Sequence, residues 1–370
     1  MSEYQYYEWQ TIDQPLNAEE QDAVNALSRH MDRVTSTQAI VTYSWSDFKH
    51  DPRKVLLKYF DAMLYLTNWG TRQLMFRFPK GAIESNAIQP YCREEILRLT
   101  LEGNYYILEF LFDEEEPDSE WMEGEGILGK LIPLREQILQ GDFRALYLGW
   151  LKAASLEDPN ESSSGTEPPL PPGLRTLNSS HQTFIEFFHL DHQLIKAAAS
   201  ASLEFQPASI ALLENALSKL SREESEDFLR RFLKNEPRIR TGLQKRLGEL
   251  AGLTSPGLTQ GQRATEKLFK EAERLKQETL RRQKARAEQK RVQGLLELAK
   301  REDSTWHWVE SLIGQKQAGP YAEATTLLIS LRDLAVYQER LAQFDERIAI
   351  LKNKYANRPS LMERFKHAGL

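Results

Sequence analysis

The sequence predicts an α+β N-terminal domain followed by a mostly α-helical C-terminal region that contains one long charged helix. Apolar and polar residues alternate in several short segments before residue 113, which is typical of strands. Apolar residues recur at helical spacing over much of residues 175–370, which indicates amphipathic helices. Residues 262–302 contain no proline and one glycine, Gly294. Because good helix formers fill this segment, we expect one uninterrupted helix there.

The N-terminal domain is expected to combine helices with an antiparallel pair of strands. Strands are predicted at residues 4–12, 38–45 and 72–78, and a hairpin at 95–101 and 105–112. One helix is predicted to begin at Asn17, a residue type that suits an N-cap. Another is predicted to begin at Pro52, since proline fits the first turn, and to continue to Asn68. Two further helices, at 127–140 and 143–156, are expected to cover the sheet.

A Ser/Pro-rich segment at residues 157–174 is the best candidate for a domain boundary, because such composition is typical of linkers. We therefore divide the chain into an α+β domain, a linker, a helical module, a long basic helix and a C-terminal helical hairpin. Their predicted bounds are 1–156, 157–174, 175–251, 262–302 and 303–370. Within the helical module, helices are predicted at 184–202, 207–220, 222–235 and 237–250. After the long helix, they are predicted at 306–313, 321–337 and 338–355.

The net charge of −6 hides an asymmetry between the two ends of the chain. Residues 1–160 contain 15 Lys and Arg against 27 Asp and Glu, whereas residues 161–370 contain 33 against 27. Regions of opposite charge either attract each other or face different partners. The sequence does not choose between these two alternatives.

Cysteine content and hydropathy indicate a cytoplasmic protein. Cys92 is the single cysteine, so disulfides do not shape the fold and a reducing compartment is expected. The N-terminus has neither the basic nor the apolar region of a secretion signal. No segment approaches 18 uninterrupted apolar residues, so no membrane partner is expected.

The middle of the predicted long helix is the candidate partner-binding segment. Residues 281–291 hold six basic residues and one acid. The candidate contact residues are Arg281, Arg282, Lys284, Arg286, Lys290 and Arg291. A heptad frame would place arginines on its seam, so a long self-paired coiled coil is not expected. The segment is either a solvated spacer or a surface for an acidic protein or a nucleic-acid backbone. No aromatic residue interrupts it, so base stacking is not indicated.

No catalytic, cofactor-binding or metal-binding residues are predicted. His189 and His192 are three residues apart on a predicted helix, but a zinc site needs further ligands, and Cys92 lies far away in the sequence. Glycines at 124, 126 and 129 match the spacing of a dinucleotide motif. They follow an acidic segment, residues 113–126, rather than a hydrophobic strand, so a cofactor is not expected. That acidic segment is interpreted as solvated or as docking a basic partner.

A cluster of aromatic residues opens the chain, at Tyr4, Tyr6, Tyr7 and Trp9. Aromatic residues at alternating strand positions usually fill a core on one face of a sheet. The other face would then carry an exposed aromatic patch, which is the kind of surface that binds partners. The sequence leaves open whether this cluster is buried on both faces or exposed on one.

Two stretches resemble known bacterial proteins. Residues 4–9 (YQYYEW), 51–54 (DPRK) and 65–72 (YLTNWGTR) resemble a widespread family of uncharacterised bacterial cytosolic proteins of about this length. Residues 321–361 are similar to the tail of bacterial SWIM-type zinc-finger proteins, but the zinc-binding residues of that finger are absent. The resemblance therefore implies a shared cellular context, slightly favouring nucleic-acid-linked work, and no zinc chemistry.

The function expected from the sequence is that of a non-enzymatic interaction or adaptor protein, binding a protein partner through helical surfaces. Two alternatives remain open. The chain could bind nucleic acid as an accessory protein through the basic segment 281–291. It could also be an enzyme of unrecognised type, although none of the motifs above indicates a catalytic constellation.

Overall fold

A computed structural model of the chain describes residues 3–93, 96–113, 123–156, 165–204, 210–234, 239–252 and 263–370. The chain divides into two compact units, hereafter unit 1 (Met1–Leu275) and unit 2 (Lys276–Leu370). Unit 1 contains an antiparallel sheet with helices, and unit 2 is helical. The predicted fold class, an α+β region followed by a mostly helical region with one long charged helix, is confirmed.

In the described part of unit 1, seven strands form one sheet in which every pairing is antiparallel. The strands are β1 (Gln5–Gln10), β2 (Met31–Val34), β3 (Gln38–Tyr43), β4 (Ala62–Thr67), β5 (Arg72–Pro79), β6 (Leu97–Glu102) and β7 (Tyr105–Phe112). Their spatial order is β2-β3-β1-β4-β5-β7-β6. The first strand of the chain therefore lies inside the sheet, between β3 and β4.

The helices of unit 1 lie between and after these strands in the sequence. They are α1 (Ala18–Asn25), α2 (Pro52–Tyr59), α3 (Ser85–Ile88), α4 (Ile127–Leu139), α5 (Arg144–Leu156), α6 (Ser179–Phe187), α7 (His192–Ala201), α8 (Ile210–Leu217), α9 (Arg222–Leu233) and α10 (Ile239–Leu250). Asn17 and Asp51 cap α1 and α2 through their side chains, as N-cap residues do. The long helix, α11 (Thr265–Lys300), contains the boundary between the two units.

Both faces of the sheet are buried, on two separate cores. One core joins Trp9, Val41 and Met63 to residues of α1 and α2. The other contains Phe110 and residues of α4 to α7, such as Phe184. Successive strand residues point to opposite faces, so the aromatic residues of β1 are distributed between both cores. Tyr6, Tyr7 and Trp9 are 4%, 7% and 0% exposed, and the idea of an aromatic surface patch there was wrong.

Two predicted helices are divided differently in the structure. The helix predicted from Pro52 to Asn68 ends at Tyr59, and its second part is strand β4. A strand that is buried on both faces shows a continuous apolar run instead of alternation, so the apolar stripe misled the prediction. The helix predicted at 184–202 is two helices, α6 and α7. Strand β2, in which Met31 and Val34 flank two charged residues, was not predicted.

The structure describes every residue of unit 2. Four helices follow α11 in this unit. They are α12 (Glu302–Gly314), α13 (Ala318–Tyr337), α14 (Leu341–Lys354) and α15 (Pro359–His367). Their apolar stripes meet in one core that includes Trp306, Leu328, Phe344 and Phe365. Among the described helices, none combines the length and the hydropathy that a bilayer crossing requires.

Candidate functional site

The long helix α11 changes character along its length. Leu268 near its start is fully buried in the core of unit 1, and Leu295 and Leu298 near its end are buried in the core of unit 2. Between them, every side chain from 281 to 291 is exposed. At about 1.5 Å per residue the whole helix is roughly 54 Å long. This part of α11, residues 281–291, is called the basic segment below.

Ion pairs within the helix stabilise the solvated part of α11. Their partners are three or four residues apart: Lys270–Glu266, Arg274–Glu271, Arg282–Glu278, Arg291–Glu288 and Lys300–Glu297. Pairs at this spacing are neighbours on a helix surface and each adds a small increment of stability. The sequence therefore maintains a helix where tertiary packing contributes nothing.

The six predicted contact residues fall into two groups in the structure. Arg282 donates to Glu278 over 2.5 Å, and Arg291 donates to Glu288 over 2.8 Å. The hydrogen bond from Arg291 is the main reason that the pKa of Glu288 lies below its usual range. The other four basic residues have no ion pair with any residue that the structure describes: Arg281, Lys284, Arg286 and Lys290.

Three of the six contact residues lie on one line along the helix surface. Arg282, Arg286 and Lys290 are spaced by four residues, so their Cα atoms rise by about 6 Å from one to the next. We call this line the basic ridge. Arg281, Lys284 and Arg291 lie on the opposite side of the helix, which also holds Glu288, so that side is less cationic. The strongest positive potential on the helix is therefore expected along the basic ridge.

The two units differ in charge. Unit 1 contains 30 Lys and Arg against 42 Asp and Glu, a net charge of −12. Unit 2 contains 18 against 12, a net charge of +6. The basic segment thus belongs to a cationic unit, which strengthens its attraction for anions beyond the local charges.

The described part of unit 1 contains several clusters of buried charged side chains. In the first, Arg135 of α4 donates two hydrogen bonds to Asp13, over 3.1 and 2.9 Å. Asp61 accepts from the backbone of Ile12 and Asp13 over 2.7 and 2.9 Å, and from Arg77 over 2.9 Å. The side chains of Asp61 and Arg135 are each 2% exposed. These carboxylates accept hydrogen bonds from internal donors, so the cluster fixes the ends of strands.

A second cluster surrounds Glu109 on β7. Arg53 and Arg98 each donate to its carboxylate over 2.9 Å, and Gln73 donates over 2.5 Å. The Glu109 side chain is 4% exposed. Two cations and an amide around one buried anion satisfy its hydrogen-bonding capacity, so this arrangement joins α2 to the sheet.

A third cluster is formed by Glu167, Arg263 and Tyr147. Arg263 binds the Glu167 carboxylate with two hydrogen bonds of 2.9 and 2.8 Å, and the Tyr147 hydroxyl donates to the same carboxylate. Burial, and then the charge of Glu167, raise the pKa of Tyr147 well above its usual value. The phenol therefore remains protonated at neutral pH and cannot act as a base.

Glu8, at the centre of β1, is fully buried without a cationic partner in the described structure. Its carboxylate accepts hydrogen bonds from Tyr6 over 2.9 Å and from Gln10 and Gln38 over 2.6 Å each. Burial and the adjacent Glu8 raise the pKa of Tyr6. No sequence pattern indicated this cluster, because Gln38 is thirty positions away and is brought close by β1–β3 pairing.

An exposed tryptophan pair was also missed by sequence reasoning. Trp45 follows β3 and is 70% exposed, with a left-handed backbone at φ +79°. Trp69 follows β4 and is 40% exposed. Because Gln5 pairs with both Tyr43 and Thr67, the two strand ends lie at the same edge of the sheet. A positive φ is rare for a bulky residue, but no sequence pattern marks such a conformation.

The weaker motifs of the sequence have structural explanations. His189 lies between α6 and α7 with φ +48°, and His192 is the first residue of α7, so they do not share one helix face. No group of three or more metal-ligating side chains occurs among the described residues. A Cβ on Gly124 would lie 2.3 Å from the Tyr6 ring, so close packing requires that glycine. Of the acidic segment 113–126, residues 114–122 lie outside the described residues.

Comparison with known proteins assigns no relative to this chain. No protein-family model, no curated protein and no solved structure matches it. The functional argument therefore depends on the geometry of the chain itself, above all on the exposed basic segment of α11.

Proposed function

We propose that this protein is a non-enzymatic interaction protein that binds an acidic partner protein through the basic segment of α11. One observation carries the proposal. Arg281, Lys284, Arg286 and Lys290 are exposed and have no ion pair among the described residues, whereas the buried carboxylates of unit 1 are all held by internal donors. Exposed unpaired cations on a helix raise association rates and select anionic surfaces.

A protein partner fits the basic ridge better than a nucleic acid does. Arg282, Arg286 and Lys290 recur every four residues, which matches acidic residues at the same spacing on a helix of a partner. The basic segment also offers no aromatic side chain on which a base could stack.

Nucleic-acid binding remains the second candidate, since one feature favours it. The basic segment carries six cations within eleven residues, and such cations can neutralise phosphates of a backbone. Binding of that kind would be independent of sequence and would weaken steeply with salt.

The test compares two charge reversals of equal size by fluorescence polarisation. The first variant is Arg286→Glu with Lys290→Glu, which breaks no ion pair of the described structure. The control is Lys316→Glu with Lys366→Glu, two exposed residues of unit 2 outside the basic segment. The probes are a labelled polyglutamate peptide and a labelled DNA duplex, each at 50 and 200 mM salt, between which the Debye length falls by about half.

We expect polyglutamate to bind, with affinity reduced about tenfold or more in the first variant and less than about threefold in the control. No binding of polyglutamate at 50 mM salt, or equal losses in the two variants, would contradict the proposal. Tighter binding of the duplex, with a steep salt dependence that the first variant flattens, would replace it with the nucleic-acid alternative.

A further inference from the structure

Two exposed tryptophans lie at the edge of the sheet where β1 begins. Trp45 and Trp69 follow Tyr43 and Thr67 by two residues each, and both of these strand residues pair with Gln5. Since adjacent strands are about 4.8 Å apart, the Cα atoms of Tyr43 and Thr67 are separated by roughly 10 Å. Trp45 and Trp69 are 70% and 40% exposed. Large aromatic side chains that are exposed near each other mark interaction surfaces.

The backbone of Trp45 has a conformation that suits another residue type. Its φ is +79°, in the left-handed region that glycine adopts freely and that is rare for a bulky side chain. The chain thus presents an indole to water at a position where glycine would fit with less strain. Strained residues are concentrated at binding sites, which favours a ligand for this indole over a structural role.

Two aspartates lie at the same edge of the sheet. Asp47 is in the loop that follows β3, and it accepts a hydrogen bond from the side-chain amide of Gln5 over 2.6 Å. Asp113 directly follows β7, and it accepts a hydrogen bond from the Thr71 hydroxyl over 3.0 Å. Both donors are neutral, and neither carboxylate has an ion pair with any residue that the structure describes. Two anions without a counterion therefore lie at the edge that carries the exposed indoles.

The hydroxyl of Tyr65 shows that both carboxylates act on one part of this edge. It donates a hydrogen bond to Gln5 Oε1 over 3.3 Å. Burial is the main reason that the pKa of Tyr65 lies above its usual value, and the charges of Asp47 and Asp113 raise it further. The electrostatic potential at this edge is therefore expected to be negative, which attracts cations.

We propose that Trp45 and Trp69, together with Asp47 and Asp113, bind an arginine-bearing segment of a partner protein. A guanidinium group has both properties that this edge selects. It is planar and stacks on the face of an indole, and its positive charge is attracted by the ring and by the carboxylates. A lysine ammonium carries the same charge but is more strongly hydrated and has no plane to stack. The ligand is a cation, whereas the basic segment of α11 attracts anions, so the inference is independent of the proposed function.

Fluorescence polarisation of the full chain with labelled hexa-arginine and hexa-lysine peptides at 50 mM salt tests the role of the indoles. The wild type should bind hexa-arginine at least threefold more tightly than hexa-lysine. Trp45→Ala with Trp69→Ala should weaken hexa-arginine binding about tenfold and remove the preference for arginine. The matched control is Trp308→Ala on α12, a residue that is 50% exposed, and it should change the affinity less than twofold.

Trp45→Gly separates binding from folding. It should weaken hexa-arginine binding by about threefold or more, because one indole is lost. Its midpoint of thermal unfolding should equal or exceed that of the wild type, because glycine relieves the positive φ. A variant that is clearly less stable and binds as tightly as the wild type would mean that this indole serves the fold instead of a ligand.

The carboxylates are tested by two neutralisations of equal size in unit 1. Asp47→Asn with Asp113→Asn should weaken hexa-arginine binding at least fivefold. The control is Glu19→Gln with Glu223→Gln, two exposed acids of α1 and α9, and it should cost less than twofold. Equal losses in these two variants, or equal affinities for the two peptides, would mean unspecific attraction to the acids of unit 1 and would overturn the proposal. The absence of hexa-arginine binding at 50 mM salt would overturn it as well.

Discussion

The charged side chains of the clusters in unit 1 are buried, whereas those of the solvated part of α11 are exposed to water. In unit 1, Asp61 and Arg135 have side chains that are each 2% exposed, and Glu167 is 3% exposed beside Arg263. On α11, the side chains of the pair Arg282–Glu278 are 73% and 41% exposed. Arginine and carboxylate side chains are therefore buried in unit 1 and exposed to water on α11.

The difference follows from the cost of desolvation. A buried carboxylate needs several donors to replace water, so its partners are fixed and removal of one leaves an uncompensated charge. An exposed ion pair exchanges its partner for water at little cost. The charges of unit 1 consequently fix strand ends and helix positions, whereas those of the basic segment are available to a second molecule.

The largest expected effect comes from neutralising a buried carboxylate. Asp61→Asn leaves Arg77 without its anion and turns an acceptor of two backbone N–H groups into a partial donor. We expect unfolding free energy to fall by about 3–5 kcal/mol in urea titrations. Glu278→Gln on α11 is the matched control, and its unfolding curve should coincide with that of the wild type. Equal effects of the two substitutions would remove the contrast between the regions.

The same contrast explains which features could be predicted from the sequence. The long helix was predictable because its signal is local: helix formers without a break, and no apolar stripe in residues 281–291. The buried clusters were not, because their members are distant in sequence. Arg135 and Asp13 are 122 positions apart, and Arg263 and Glu167 are 96 apart. Such pairs meet only through the fold.

Local patterns also failed where burial overrode them. The sequence of strand β4 was interpreted as the continuation of a helix, because a strand that is buried on both faces has an uninterrupted apolar sequence. Helix α9 shows the converse case, because its apolar residues Leu229, Phe232 and Leu233 are 62%, 67% and 80% exposed. A helix was predicted there, at residues 222–235, and the structure has Arg222–Leu233. An amphipathic pattern does not tell which side of a helix faces water, so these exposed apolar residues were not predicted.

Lowering the pH should reduce the stability of the folded chain through His181, a residue of unit 1. This imidazole is fully buried, and burial, reinforced by the charge of Arg144, lowers its pKa from 6.5 to about 4. As the pH falls, the unfolded chain binds a proton first, so the stabilisation present above pH 6.5 is lost down to about pH 4.

His181→Phe removes this titration while keeping a ring of similar shape. Urea unfolding at a series of pH values should show the wild type losing stability faster than the variant between pH 6.5 and 4. The difference between them should change by about 3 kcal/mol over that interval, since each pKa unit corresponds to about 1.4 kcal/mol. A difference that stays constant with pH would mean that His181 is protonated as easily in the folded chain as in the unfolded one.

The smallest effects on stability are expected from a glycine-to-alanine substitution made separately in α5 and in α11. The two effects should have opposite signs. A Cβ on Gly149 of α5 would lie 2.6 Å from Phe110 Cε1 and 3.3 Å from Leu97 Cδ2. Gly149→Ala should therefore destabilise the protein by about 1–3 kcal/mol, despite the better helix propensity of alanine. On α11, a Cβ at Gly294 has no neighbour within 4 Å among the atoms described, so Gly294→Ala should stabilise by about 0.5–1 kcal/mol. Thermal unfolding of both variants decides the matter. Two shifts of the same sign would mean either that the core around Phe110 yields to an added methyl group, or that α11 is packed near Gly294.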